Sequence, residues 1–146
     1  MNELRVRLLD PLAKLPRRST SGSAGYDLSA RLERDVLIAP GETTSVGCGF
    51  ALALEKGYAA FIYARSGLGI MCGVTPANCV GVVDSDYRGE VIVGLRNASS
   101  QPFMVRDGDR IAQMVIAGYE TPELVLCDDL DKTQRGAGGF GSSGLR

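Results

Sequence analysis

Short β-like runs separated by turn signals fill most of this sequence, and no window keeps a helical period over three turns. In the first run Leu4, Val6 and Leu8 alternate with arginines, which is the period of a half-buried strand. Turn signals such as Pro40-Gly41 and Glu55-Lys56-Gly57 separate later runs. The further predicted strands lie at Asp35 to Ile38, Thr43 to Leu54, Tyr58 to Tyr63, Val80 to Val83, Glu90 to Leu95, Pro102 to Val105, Arg110 to Ile116 and Leu124 to Leu126. This pattern predicts an all-β sandwich, barrel or jelly roll, with one short helix near Ser66 to Met71.

Length and hydropathy favour a single domain. With 146 residues, 45% of them apolar, the chain can bury one core but is short for two. Its apolar stretches are soon interrupted by Gly, Arg, Asp or Pro, and the start MNELRVRLLD carries charges where a signal peptide needs an apolar run. We therefore expect a soluble, unexported protein with no membrane association.

The titratable residues restrict the chemistry. Histidine is absent and the four cysteines form no CxxC pair, so the usual zinc ligand sets are missing. We interpret Cys48, Cys72, Cys79 and Cys127 as reduced cytosolic thiols. An enzyme of this composition must activate its nucleophile with a carboxylate or a metal ion. The formal net charge of −1 argues against direct nucleic-acid binding, so any anion site must be built locally.

The C-terminal segment differs from the rest. Residues 132–146 contain five glycines and two serines around one aromatic residue, and cannot bury a core of their own. Taken alone, this composition is typical of a flexible chain terminus. Its arginine, backbone N–H groups, aromatic ring and hydroxyls could equally grip a phosphorylated aromatic ligand. We therefore predict a β-stranded domain over residues 1–131, which the family resemblance described below makes a β-barrel, and an arm over residues 132–146 that orders on a ligand.

Five segments, taken together, indicate a family. They are AGYDLSA from Ala24, ARSGLGI from Ala64, GVVDSDYRGEV from Gly81, GDRIAQMVI from Gly108 and RGAGGFGSSG from Arg135. In order and approximate spacing they resemble the homotrimeric dUTPases across nearly the whole chain. The resemblance implies a jelly-roll-like β-barrel of the β-clip type that hydrolyses dUTP to dUMP and pyrophosphate with Mg²⁺, at active sites shared within a homotrimer. Such an activity limits uracil incorporation into DNA and supplies dUMP for dTMP synthesis.

The segment GVVDSDYRGEV reads by spacing alone as a hairpin whose aspartates are turn residues. The resemblance implies that Asp84 orients the attacking water and that Tyr87 lies against the deoxyribose, where a 2′-hydroxyl would clash. Asp86 is interpreted as structural. By spacing alone, Asn78 is an ordinary turn residue. The resemblance implies that Asn78 and the strand through Val82 and Val83 form the uracil pocket.

The remaining segments correspond to the triphosphate site. A lone RSG is common, but the resemblance assigns Arg65, Ser66 and Gly67 to the α- and β-phosphates, with Gln113 as a further donor. Arg110 is expected to stabilise the site's carboxylates or subunit contacts. Asp27 is either a loop or capping residue or, as the resemblance implies, an outer-shell partner of the hydrated Mg²⁺. In the arm, the implied contacts are Arg135 near the γ-phosphate, Phe140 stacked on uracil, and Gly141, Ser142 and Ser143 donating to the phosphates.

Two rival interpretations remain, an enzyme that shares this fold and a non-catalytic nucleotide-sensing or partner-binding trimer. A dCTP deaminase-like enzyme needs a catalytic Glu, whereas the Tyr87 hairpin and the arm favour a dUTPase. A non-catalytic nucleotide-sensing trimer would be marked by loss of Asp84, Tyr87 or the arm, and all are present. The expected location is cytoplasmic, or nuclear for a eukaryotic or viral source.

Overall fold

The computed structural model describes residues 3–139 of the chain. These residues form eleven strands and one π-helical turn, Gly67–Met71, so the predicted all-β, jelly-roll-like fold with a short helix near Ser66 is confirmed. The strands are β1 (Arg5–Leu8), β2 (Tyr26–Ser29), β3 (Val36–Ile38), β4 (Thr43–Gly47), β5 (Phe50–Ala53), β6 (Tyr58–Tyr63), β7 (Val74–Pro76), β8 (Gly81–Val83), β9 (Ile92–Asn97), β10 (Phe103–Val105) and β11 (Arg110–Gly118).

The strands pair antiparallel in four separate sheets. The largest has the order β2-β11-β6-β8, a second has the order β4-β9-β7, and β1-β5 and β10-β3 form two-stranded pairs. Side chains from these sheets meet in one core, where Phe50, Leu28, Ile38, Leu95 and Met114 are fully buried. Over residues 3–139, no helix is long and apolar enough to cross a membrane.

Two expectations about the strands are wrong. The predicted strand from Thr43 to Leu54 is two strands, because Gly49 adopts a φ of +71° and turns the chain between them. Leu124 to Leu126 is not a strand, and its side chains are almost fully exposed, because no described strand pairs with it.

Two short strands escaped the sequence pattern. β2 carries one fully buried apolar side chain, Leu28, and follows a Ser-Gly loop, so its alternation is weak. β7 is three residues long and ends in Pro76, a residue that normally argues against a strand. After Tyr119 the described residues form no strand and nearly all are exposed, and the domain division at residue 131 stays a prediction.

Candidate active site

Arg65 and Asp27 form the centre of a charged cluster at one end of the four-stranded sheet. Asp27 lies on β2 and Arg65 follows the end of β6, and the Asp27 Oδ1 atom accepts a hydrogen bond from Arg65 Nε at 2.7 Å. The Asp27 Oδ2 atom accepts from Arg110 Nη1 at 3.0 Å and from Ser19 Oγ at 3.1 Å. Arg110 therefore contacts a carboxylate, which is one of the two roles expected for it. Two guanidiniums around one carboxylate leave an excess positive charge, which attracts anions to this end of the sheet.

Opposing influences set the pKa of Asp27. Burial raises it, and this is the largest single influence, but hydrogen bonds from Arg110, Arg65 and Ser19 together hold the pKa below the usual 3.8. Asp27 is therefore ionised at neutral pH and holds the Nε edge of Arg65. Because Asp27 lies within a strand, the alternative of a loop or capping residue is wrong.

Gln113 lies beside this pair. The register of β11 pairs Gln113 with Asp27 on one side and with Tyr63 on the other. Its Nε2 donates to the Ala64 carbonyl at 2.8 Å, which uses one of two amide hydrogens. Gly25 makes room for the amide, because a Cβ there would lie 2.6 Å from Gln113 Oε1.

Ser66 and Gly67 form the exposed rim of the cluster, at the start of the π-helical turn. Both are exposed, and a Cβ at Gly67 would meet nothing within 4 Å. The turn is five residues long, so its dipole is small. Its N-terminus therefore attracts anions less than expected from the sequence. The N–H groups and hydroxyl at this rim remain accessible to a phosphate. We call Arg65, Ser66, Gly67, Gln113 and Asp27 the cradle.

The described residues offer a divalent metal ion few protein ligands. Among residues 3–139 there is no group of three or more His, Cys, Asp or Glu side chains that could enclose a metal ion. Asp27 already accepts three hydrogen bonds, so it has at most about one lone-pair site left. This donor set suits an ion whose oxygen ligands come mainly from a polyphosphate and water, which is how Mg²⁺ is commonly held.

A second group lies in the segment between β8 and β9. A cleft of ≈ 220 Å³ is lined by Val82, Val83, Asp84, Tyr87, Glu90, Val91 and Ile92. Asp84 is exposed, and its carboxylate has no hydrogen-bond partner in the described part of the chain. Its backbone carbonyl accepts from Tyr87 N at 3.2 Å, so Asp84 is a turn residue with a free side chain. An apolar cleft with one unpaired carboxylate can hold a flat ring and a water.

Tyr87 and its neighbours close the turn. The Tyr87 hydroxyl donates to the Glu90 carbonyl at 3.0 Å, and Arg88 Nη1 donates to the carbonyls of Ser85 and Tyr87 at 2.7 and 2.8 Å. Sequence reasoning missed the roles of Arg88 and Glu90, because both act on backbone groups that only the folded turn brings within reach. The β-hairpin predicted from the spacing is wrong, because β8 pairs with β6 whereas β9 pairs with β4 and β7, so this segment connects two different sheets. We keep the name hairpin for the connecting residues 82–92.

Asn78 lies outside the lining of this cleft but close to β8. Its side chain is exposed, and a Cβ at Gly81 would lie 3.5 Å from Asn78 Nδ2. Its carbonyl accepts from Val80 N at 2.7 Å, and the intervening Cys79 has a φ of +63°. The tight turn holds the amide over the start of β8.

The cradle and the hairpin lie at opposite ends of β6. Val83 pairs with Ala60 at the end of β8, and extending this register by one residue brings Asp84 level with Ala59, whereas Arg65 is six residues farther along the same stretch. At about 3.3 Å per residue the two groups are roughly 20 Å apart. One chain therefore does not bring the predicted water-binding carboxylate to the predicted phosphate site.

The described part of the arm is folded on itself. Arg135 Nε donates to the Gly138 carbonyl at 2.9 Å, and Gly138 N donates to the Arg135 carbonyl at 3.1 Å. Arg135 is exposed and contacts neither the cradle nor the hairpin. The predicted contacts of Phe140, Gly141, Ser142 and Ser143 lie outside the described residues.

Comparisons with known proteins agree with each other. Residues 12–144 match the sequence model of the family described as dUTPase. A relative from Desulfitobacterium hafniense, named deoxyuridine 5'-triphosphate nucleotidohydrolase, is 47% identical over 150 residues, which cover 99% of this chain and 99% of that protein. A solved Staphylococcus bacteriophage 80alpha dUTPase mutant with dUpNHpp is 25% identical, with a TM-score of 0.87 and coverage of 99% of this chain and 100% of that one. A dUTPase mutant from phage phi11 of S. aureus, described with a structural Mg(II) ion, is 24% identical, with a TM-score of 0.82 and coverage of 90% and 100%.

Proposed function

The chain belongs to the dUTPase family and has that family's dUTP nucleotidohydrolase activity, and from this premise we propose how its residues perform the reaction. A water held by Asp84 attacks the α-phosphorus of dUTP, and dUMP and pyrophosphate are the products. The observation that carries the proposal is the pair of complementary groups: a cradle that has an excess positive charge when the adjacent Arg110 is included, and an apolar cleft with a free carboxylate.

In the proposed reaction, Asp84 accepts a hydrogen bond from the attacking water and takes its proton. No partner in the described residues competes for this carboxylate, and the chain contains no histidine that could replace it. General-base help of this kind is typically worth about 10²- to 10⁴-fold in rate. Uracil lies in the cleft beside Val82 and Val83, with Asn78 donating and accepting at the base edge, and Tyr87 lies against the deoxyribose.

The cradle binds the phosphates. Arg65 uses Nε on Asp27 and Nη1 on the Arg110 carbonyl, at 2.7 and 3.3 Å, and a guanidinium has five donor hydrogens, so several remain for phosphate oxygens. Gln113 has one amide hydrogen free, and Ser66 and Gly67 add a hydroxyl and backbone N–H groups. In the arm, Arg135, Phe140, Gly141, Ser142 and Ser143 are proposed to close over the bound nucleotide.

dUTPases are metal-dependent, and for this chain we propose Mg²⁺. When bound, Mg²⁺ neutralises negative charge on the phosphate chain. Asp27 would hold one of its waters, through the lone-pair site that Arg65, Arg110 and Ser19 leave free.

We propose a homotrimer whose sites are each shared between chains. The separation of about 20 Å between the cradle and the hairpin supports this, because a single dUTP α-phosphate must contact both. A cyclic assembly brings the cradle of one subunit to the hairpin of the next, and repeats the contact at every interface. The arm comes from a third subunit.

A cytoplasmic location, with no nucleic-acid or membrane partner, completes the proposal. All four cysteines are free, as in reducing compartments. Burial, with Glu90 nearby, raises the pKa of Cys48 to about 12, so this thiol stays unreactive.

Hydrolysis of dUTP in ¹⁸O-water tests the reaction. We expect ¹⁸O in dUMP and none in pyrophosphate, because the water attacks the α-phosphorus. Label in pyrophosphate would show that water attacks the β-phosphorus instead. Deamination of dCTP without hydrolysis of dUTP would favour the deaminase-like alternative.

A further inference from the structure

We propose that Gly89 and Glu90 are positioning residues that determine the sugar specificity of the site by fixing the ring of Tyr87. The inference rests on the proposed function, in which Tyr87 lies against the deoxyribose. Neither Gly89 nor Glu90 needs to contact the nucleotide to act in this way. They act by fixing the position of the Tyr87 ring and by limiting its movement.

Gly89 provides the space that the ring occupies. A Cβ at Gly89 would lie 2.6 Å from Tyr87 Cζ and 3.0 Å from Cε2, whereas ordinary van der Waals contacts begin near 3.4 Å. An aromatic ring cannot bend to avoid such a contact, so the whole side chain must move. No positive φ is recorded for Gly89, so its requirement is for space and not for an unusual backbone conformation.

Glu90 anchors the other end of the ring. Its carbonyl accepts the Tyr87 hydroxyl at 3.0 Å, and its own side chain accepts from Gly49 N at 2.7 Å. The next residue, Val91, donates to the Phe50 carbonyl at 2.9 Å and accepts from Cys48 N at 3.0 Å. Phe50, Cys48 and Val91 are buried, so Tyr87 is tied through Glu90 to the rigid core.

A fixed ring is what steric selection of a sugar requires. Deoxyuridine and uridine nucleotides differ by one hydroxyl, and a wall that can move would accommodate it at small cost. Tyr87 is 44% exposed, so packing covers only part of its side chain. The close approach of Gly89 and the hydrogen bond to Glu90 add to the stiffness of the ring.

The experiment compares variants that remove each support. Gly89→Ala fills the space under the ring, and Tyr87→Phe keeps the ring but removes its hydroxyl. Glu90→Ala removes the acceptor of Gly49 N, whereas Glu90→Gln keeps one and serves as the conservative rescue. Gly22→Ala is the matched control, because a Cβ there meets nothing within 4 Å. For each protein, kcat/KM is measured with dUTP and with UTP, and binding of dUMP and UMP is measured by calorimetry.

We expect the ratio of kcat/KM for dUTP to that for UTP to fall about tenfold in Tyr87→Phe, the weight of one hydrogen bond. It should fall further in Gly89→Ala, fall in Glu90→Ala and recover in Glu90→Gln, while Gly22→Ala keeps the wild-type ratio. The binding preference for dUMP over UMP should follow the same order. If these residues had a merely structural role, their substitution would lower kcat/KM for dUTP and for UTP by the same factor and leave the ratio unchanged.

Each contrary result has one meaning. An unchanged ratio in folded Gly89→Ala removes the glycine from the proposal, and an unchanged ratio in Tyr87→Phe removes the tether. If Gly89→Ala does not fold, Tyr87→Phe and Glu90→Ala decide the proposal together, and unchanged ratios in both would overturn it. A wild-type protein that turns over dUTP and UTP equally would overturn the role of Tyr87 itself, and one that hydrolyses neither would overturn the proposed function.

Discussion

At the scale of single residues, Asp27 and Asp84 are carboxylates in opposite surroundings. Asp27 is mostly buried and accepts hydrogen bonds from two arginines and a serine, whereas Asp84 is exposed and its carboxylate has no partner in the described residues. A paired carboxylate positions its partners, while a free one is available to bind a water. The environments therefore favour different roles for the two residues.

Asp84→Asn should lower kcat by about 10² or more, with KM near the wild-type value, because the substitution keeps the size and removes the base. Steady-state kinetics with dUTP and Mg²⁺ measure both constants. Asp86→Asn in the same turn is the control, and it should keep most of the activity. If Asp84→Asn keeps the wild-type kcat, another residue must be the general base.

Asp27→Asn should lower the free energy of unfolding at neutral pH, because Arg65 and Arg110 lose their shared counter-ion. The pKa of Asp27 is lowered in the folded state, so its contribution is complete above the unfolded value of about 3.9 and is lost as the pH falls below it. Urea unfolding should therefore separate wild type from Asp27→Asn at pH 6 to 8 and show the difference shrinking below about pH 4. A difference that grows on acidification would contradict the ion pair.

At the scale of elements, the strands with clear alternation or strong turn signals were predictable, and those defined by tertiary pairing were not. Tyr58–Tyr63 was predicted to the residue, because Gly57 ends the preceding turn and the run is strongly apolar. The β4–β5 break depends on one conformation at Gly49, which apolar periodicity does not reveal. Leu124 to Leu126 has strand composition, but composition alone does not supply a pairing partner.

Gly49→Ala tests the break between β4 and β5. A positive φ costs a non-glycine residue about 1 to 2 kcal/mol, and here a Cβ would also lie 2.6 Å from Ala13 Cβ. Gly41→Ala is the matched control, since Gly41 has a φ of +78° but open space around it. Urea unfolding at one protein concentration should show a loss larger in Gly49→Ala by about 1 kcal/mol or more. Equal losses would mean that crowding at this turn is unimportant.

Removal of residues 134–146 tests the arm. We expect a stable core, because the described residues after Tyr119 are exposed and form no strand, and a loss of nearly all dUTP hydrolysis. Thermal unfolding and activity are measured on the same preparation. Full activity in the truncated protein would reject the proposed closure over the nucleotide.

At the scale of the whole molecule, the sequence indicated candidate site residues but not how the fold arranges them. A contact of Arg110 with a carboxylate was one of two expected roles, and the fold places it at Asp27, while Val82, Val83, Asp84 and Tyr87 line one cleft. The separation of cradle and hairpin along β6 follows from strand register, which no motif contains. The supports at Gly89, Glu90 and Arg88 depend on backbone groups of the folded turn, so residue identity alone did not indicate them.

Complementation between two inactive variants tests the shared site most directly. Arg65→Ala disables the cradle and Asp84→Asn disables the hairpin, and each protein alone should be nearly inactive. In a trimer whose sites combine the cradle of one subunit with the hairpin of the next, every mixed trimer contains one intact site. Co-expression in equal amounts should therefore restore about one quarter of wild-type activity. A mixture of Asp84→Asn with the double variant carrying both substitutions is the control and should stay inactive. If the Arg65→Ala and Asp84→Asn mixture forms mixed trimers yet shows only the summed activities of its components, each chain builds its own site and the account is wrong.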